Sequence, residues 1–309
     1  MHVQEMKGVV AALVTPFDDH DQVNEESLRR IVRHILGLGA VGFYVCGSTG
    51  EGFSLSTEER RRVIETVKDE VGDRAGLIVN ISHMEYRVVL ELASHARACG
   101  ADAVSTLPPI YHPVGPEEVR GYYLSLLDKV DLPLTIYNIP MLSGRTLDQP
   151  MVESLVEHPN FVGIKHTSED SDLLDRFKRA GNGRLVIWSA RDSYYLSSLS
   201  MGADGAIGST YNLNADVTNQ ITAAFRKGDL PRAREIQSRF NIYRDQLFRL
   251  GLYQSIKRCF TLMGIDGGGC RSPYAPLGPE ADGHVRDVLA MLADLRRYCG
   301  LPAPDDPSA

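Results

Sequence analysis

Eight short apolar runs between Gly8 and Ile207 alternate with amphipathic segments, and this alternation predicts an α/β chain folded as a (β/α)8 barrel with a C-terminal helical extension. Two further observations support that fold class. The stretch is close to the ~250 residues typical of such barrels. No G-x-G-x-x-G opens a helix after a strand, which counts against a doubly wound nucleotide-binding sheet.

The elements follow in order. Gly8–Val14 reads as the first strand and Glu25–Leu38 as its helix; Val41–Cys46 precedes Thr57–Val71, which opens on the good cap Ser56-Thr57-Glu58-Glu59. Gly76–Ile81 leads to Tyr86–Cys99. Ala101–Leu107 leads to Pro116–Val130, where Gly115-Pro116-Glu117-Glu118 places proline and acids in the first turn. Pro133–Tyr137 with Gln149–Glu157, then Phe161–Lys165, Arg184–Trp188 and Ala203–Ile207, complete the eight strands. Beyond them the chain reads as wholly helical through Ala215–Lys227, Pro231–Leu250, Tyr253–Met263 and Glu280–Tyr298. The expected organisation is a barrel over 1–212, helices over 213–300 packed on it in the same domain, and a frayed Pro- and Asp-rich tail over 301–309.

At 309 residues and 43% hydrophobic, the chain is long enough to bury a full core. Its net charge of −7 argues against nucleic acid or an anionic membrane as the main partner, since both require a basic face. The five cysteines are widely spaced with no C-x-x-C or His–Cys zinc pattern, and they read as reduced thiols of a cytoplasmic protein. The N-terminal residues lack the long apolar core of a signal peptide.

In such barrels chemistry gathers at the carboxyl ends of the strands. One amine stands there: Lys165 closes the run Phe161-Val162-Gly163-Ile164 and has no acidic residue within three positions. Burial disfavours an ammonium and lowers its pKa, which makes the free amine a nucleophile toward carbonyls; the bland alternative is a lysine that snorkels to solvent. Tyr137 ends the preceding strand and supplies a phenol for proton transfer. The segment Gly47-Ser48-Thr49-Gly50-Glu51-Gly52 lacks the Lys-Ser/Thr ending of a phosphate loop. Its amides and two hydroxyls nonetheless suit a carboxylate, unless it is an ordinary capped turn. His83, His95, His112, His158 and His166 form no metal-ligand spacing and read mostly as surface or loop residues, and Trp188 reads as core.

Four motifs, Gly47-Ser48-Thr49-Gly50-Glu51, Tyr137-Asn138-Ile139-Pro140, Gly163-Ile164-Lys165 and Gly205-Ala206-Ile207-Gly208-Ser209, occur in the order and spacing of one family. The chain thereby resembles the dihydrodipicolinate synthase and N-acetylneuraminate lyase family of Schiff-base, pyruvate-handling class I aldolases, from about Gly8 to Pro276. The resemblance implies a (β/α)8 barrel, usually a homotetramer, a small keto acid as substrate, and neither metal nor organic cofactor. It makes Lys165 the Schiff-base lysine and Tyr137 the proton relay. Ser48 and Thr49 would hold the pyruvate carboxylate, Tyr111 would be donated across a subunit interface, and Thr167, Ala190, Asp192, Ser193, Gly208 and Ser209 would line the substrate site.

Two positions bear on the substrate. Synthases usually carry an arginine two residues after their Tyr-Asn-Val-Pro block to grip a second carboxylate, and here that residue is Leu142, which cannot pair with one. The Ile-Pro-x-Leu-Ser-Gly form instead resembles the sialic acid lyases. Those typically have Gly-x-Asp-Glu after strand seven, where this chain has Ala190-Arg191-Asp192-Ser193. Asp192 reads either as a hydroxyl ligand or as a helix N-cap. The expectation is cleavage of N-acetylneuraminate to pyruvate and N-acetylmannosamine. A 2-keto-3-deoxy sugar acid aldolase or dehydratase, or a synthase condensing pyruvate with aspartate semialdehyde, is the alternative. A non-catalytic relative would be expected to lose Lys165 or Tyr137, and both are present.

Overall fold

The computed structural model describes residues 2–302. Eight parallel strands close into a barrel in chain order: β1 (Val9–Ala12), β2 (Gly42–Val45), β3 (Gly76–Asn80), β4 (Ala103–Thr106), β5 (Leu134–Asn138), β6 (Phe161–His166), β7 (Val186–Ser189) and β8 (Gly205–Gly208). Nearly every strand residue is buried, because a parallel barrel covers one strand face with helices and the other with its own interior; this is why the strands read as unbroken apolar runs. Two cores result. Val10, Ala12, Ile78 and Ile207 fill the barrel interior, and alternate residues such as Val9, Val45 and Ile164 meet the helical ring. Trp188 closes the amino end of the interior, its Nε1–H donating to the Met6 carbonyl at 2.9 Å. It fits there because Gly163 faces it: a Cβ on Gly163 would lie 2.7 Å from the indole.

The ring consists of α1 (Glu25–Gly37), α2 (Thr57–Val71), α3 (Tyr86–Ala98), α4 (Pro116–Lys129), the short α5 (Pro140–Ser143), α6 (Gln149–Leu155), α7 (Ser171–Gly181), α8 (Tyr195–Ser200) and α9 (Tyr211–Arg226). The cap expected at Ser56-Thr57-Glu58-Glu59 forms as a capping box: Ser56 Oγ accepts the Glu59 N–H at 3.2 Å, and the Glu59 carboxylate accepts the Ser56 N–H at 2.8 Å. The helix α7, not assigned above, starts where Asp170 accepts the Leu173 N–H at 2.9 Å and buries Leu174 and Phe177.

Three further helices follow: α10 (Leu230–Phe248), α11 (Leu252–Leu262) and α12 (Asp282–Cys299). The first of the four post-barrel helices, α9, packs on β1 and α1 as the ring member that follows β8. A division at 212/213 therefore falls inside a helix. Leu301, at the head of the segment expected to fray, is half-buried and donates its N–H to the Arg296 carbonyl at 2.9 Å. The expectation for 303–309 lies outside the described residues. No helix of the described residues is long and apolar enough to cross a membrane.

Candidate active site

A cavity of 240 Å³ opens at the carboxyl end of the barrel, and Lys165, Tyr137, Ser48 and Thr49 all line it. Parallel pairing of β5 with β6 sets Tyr137 directly beside Lys165. The amine does not snorkel. It is 4% exposed, with its Nζ 4.0 Å from the centroid of the Tyr137 ring and 3.8 Å from that of Tyr44. Desolvation lowers its pKa from 10.5 to about 7, the negative charge of Asp192 opposing the shift only in part. Near neutral pH a large fraction is therefore free amine.

Burial pushes the Tyr137 phenol up, and hydrogen bonding from Ser48 and Thr167 pulls it partly back. Tyr44, on β2, escaped the sequence reading. Its hydroxyl accepts from Asn80 Nδ2 at 2.8 Å and donates to Ser105 Oγ at 3.1 Å, so it is fixed as the second wall of the amine's slot. Only its parity with the interior-facing positions of β2 distinguished it from core.

Thr49 Oγ1 shares a hydrogen bond with Ser209 Oγ at 2.7 Å, which joins the loop after β2 to the end of β8. That loop is pinned from behind. The buried Glu51 carboxylate, on a residue with φ +53°, accepts from Lys257 Nζ of α11 at 2.5 Å and from the Arg271 N–H at 2.8 Å. The segment is thus a built turn presenting two hydroxyls to the cavity, and more than a capped connection.

Thr167, Ala190, Asp192, Gly208 and Ser209 also line the cavity. Asp192 is not an N-cap of its own turn: its Oδ2 accepts the Thr210 hydroxyl at 2.7 Å and the Thr210 N–H at 3.2 Å. It packs against Gly208, where a Cβ would lie 2.1 Å from Oδ1. Burial raises the Asp192 pKa, and the Thr210 bonds, Arg244 and Lys165 pull it down. Ser193, expected in the substrate site, is not among the lining residues; its carbonyl accepts from Asn241 Nδ2 at 3.2 Å. Tyr111 also stays apart. It is 89% exposed on the loop after β4 with φ +71°, and its ring stacks edge-on against His112.

The wall residues on the C-terminal helices were missed entirely, Arg244 and Phe248 on α10 and Leu252 and Tyr253 on α11, because helical residues far down the chain carry no mark of facing a strand end. Two expectations about histidine need correction. His166 is 2% exposed, not a surface residue, and pairs with Asn138 Nδ2 at 2.9 Å; burial lowers its pKa. A His–Cys spacing does exist, His95 and Cys99 on one face of α3, with Nε2 3.3 Å from Sγ and 3.1 Å from Glu65 Oε1. These three donor groups are close enough together to share a metal ion, on the outer helical layer. All five cysteines are free.

A buried amine set against a phenol at the carboxyl end of a closed parallel barrel defines the class: a carbon–carbon lyase on a (β/α)8 frame. The chain belongs to the dihydrodipicolinate synthetase family, whose model matches residues 5–292. It is 37% identical over 284 residues to the N-acetylneuraminate lyase of Clostridium perfringens, covering 92% of this chain and 98% of that one. It is 39% identical over 274 residues to that of Salmonella typhimurium, covering 88% and 92%. The crystal structure of CdNal from Clostridium difficile in complex with mannosamine superposes with a TM-score of 0.89 at 34% identity, covering 95% of this chain and 99% of the other.

Proposed function

We propose that this chain is a Schiff-base aldolase that reversibly cleaves N-acetylneuraminate to pyruvate and N-acetylmannosamine. The observation that carries the reading is the amine of Lys165, buried between the rings of Tyr44 and Tyr137 without a hydrogen-bonded carboxylate. Lys165 condenses with the C2 ketone, and the protonated imine accepts the electron pair of the breaking C3–C4 bond, leaving a pyruvate enamine. Tyr137 takes the proton of the C4 hydroxyl as the aldehyde departs, with Ser48 beside it to relay that proton. The hydroxyls of Ser48 and Thr49, the latter oriented by Ser209, receive the pyruvate carboxylate. Thr167, Ala190, Asp192 and Gly208 meet the sugar portion.

The imine itself is the electron sink, so neither metal nor organic cofactor is required. A synthase reaction on aspartate semialdehyde is disfavoured by Leu142, an exposed apolar residue at the cavity mouth. The outward position of Tyr111 suits donation to a neighbouring subunit of a homotetramer, and the free cysteines suit the cytoplasm. The test is pyruvate release from N-acetylneuraminate, coupled to lactate dehydrogenase, with Lys165→Ala as blank. Release that the blank lacks supports the reading. Absence of release while borohydride still traps pyruvate on Lys165 would sink N-acetylneuraminate and leave the imine chemistry standing.

A further inference from the structure

The amine end of the cavity handles the three carbons of pyruvate whatever the remainder of the substrate is. Selectivity for that remainder belongs to the other walls, and their charge is lopsided. Besides Lys165, the charged residues lining the cavity are Arg191, Asp192 and Arg244: two guanidiniums against a single carboxylate. One oxygen of that carboxylate already accepts two hydrogen bonds from Thr210, and the other packs against Gly208.

Arg244 is the less committed of the two cations. Its guanidinium carbon lies over the Phe248 ring, 3.9 Å from the centroid. Nη1 donates to Asp245 at 2.9 Å, a carboxylate 66% exposed to solvent, and Nε has no partner. An ion pair to so exposed an acid is weak and is readily exchanged for a better-placed anion. Arg191 also has an unpartnered Nε, but Glu169 holds its Nη2. Arg244 stands on the cavity wall, and because its Nε is buried, its terminal N–H groups are the ones that can take a carboxylate in a two-pronged grip.

We infer that Arg244 forms an anion subsite for the aldehyde half of the substrate, so that the enzyme also makes and cleaves 2-keto-3-deoxy sugar acids whose far end is a carboxylate. The inference rests on the Schiff-base reading of Lys165. In the condensing direction C3 of the pyruvate enamine bonds to the aldehyde carbon, the aldehyde oxygen takes the proton from Tyr137, and water hydrolyses the imine to release a 4-hydroxy-2-oxo dicarboxylate. No oxidant or reductant enters.

The experiment measures kcat/KM of the full chain for condensation of pyruvate with 2-hydroxy-3-oxopropanoate and with glyceraldehyde, two aldehydes of equal length that differ by a terminal carboxylate. Charge-assisted pairing favours the acid by about ten- to a hundredfold in the wild type. Arg244→Met, which keeps packing on Phe248, brings the ratio toward one, and Arg244→Lys leaves it between. A wild type without preference, or a Met variant that lowers both values alike, overturns the subsite, as does turnover of neither aldehyde by protein that still traps pyruvate. Borohydride trapping of pyruvate on Lys165, followed in parallel by intact mass, reports the Schiff-base reading separately.

Discussion

Replacing Lys165 by methionine should abolish turnover and yet stabilise the protein, by an amount that depends on pH. A native pKa of about 7 against 10.5 in the unfolded chain corresponds to a penalty of about 5 kcal/mol for holding this amine in the barrel. The sign follows from proton counting. Below pH 7 both states carry the proton and the penalty is complete. Between pH 7 and 10.5 the unfolded chain binds the proton that the native state has released, so wild-type stability rises with pH through that window. Methionine fills the same slot between Tyr44 and Tyr137 without a charge to desolvate. The variant should exceed the wild type by about 4 kcal/mol at pH 7 and by about 2 kcal/mol at pH 9. Urea unfolding of both proteins at the two pH values and equal concentration measures this, because every other titrating group cancels in the difference. A gap that is absent, or that does not narrow as pH rises, would refute the claim that desolvation tunes the amine. The wild-type rate of borohydride-trapped imine formation should correspondingly rise about tenfold per pH unit below 7 and level off above.

Tyr137→Phe should lower aldol turnover by roughly 10²–10⁴-fold while pyruvate is still trapped on Lys165; near-normal kcat would remove the phenol from proton transfer. Gly208→Ala forces a methyl to within 2.1 Å of Asp192 Oδ1, and the resulting shift of strand or carboxylate should lower kcat/KM by about a hundredfold in a protein with unchanged circular dichroism; retained activity would mean the wall yields freely. Glu51→Gln strips the Lys257 ammonium, 1% exposed, of its carboxylate and should cost about 3–5 kcal/mol in urea unfolding and raise KM for pyruvate, whereas the double change Glu51→Gln with Lys257→Met should recover much of the stability. A double variant no more stable than Glu51→Gln would show that the ion pair is not what pins the loop.

The barrel was legible because parallel strands buried on both faces leave apolar runs, and Lys165 interrupts one of those runs at its functional end. Helix starts were legible where a side chain satisfies the first N–H groups, as at Ser56. What stayed hidden depends on facing. Tyr44 alternates in β2 with Phe43 and Val45, and nothing local says which of the three points at the amine. Arg244 occupies a helix whose exposed face carries other arginines, so it reads as solvated. Ser193 failed in the opposite way: it sits at a position the family pattern marks, yet it is not among the residues that line the cavity. Tyr111, marked for donation to another subunit, stands outside this cavity with a positive φ.

The contrast between two lysines explains why position along a strand outperformed burial as a guide. Lys257 is buried at least as deeply as Lys165, at 1% against 4% exposure, but it lies on a helix and meets the Glu51 carboxylate, contributed from 206 positions away, at 2.5 Å and the Gly269 carbonyl at 2.7 Å. Those partners replace the water it lost, so its burial holds a loop in place. Lys165 has only aromatic faces within reach and Asp192 at a distance, with that carboxylate already bonded to Thr210. Its lost hydration is not replaced, the proton leaves, and the same side chain that elsewhere serves as a pin becomes a nucleophile. Moving a carboxylate next to it, for instance Thr167→Asp, should therefore restore the ammonium and suppress imine formation at pH 7 even though every catalytic group is still present.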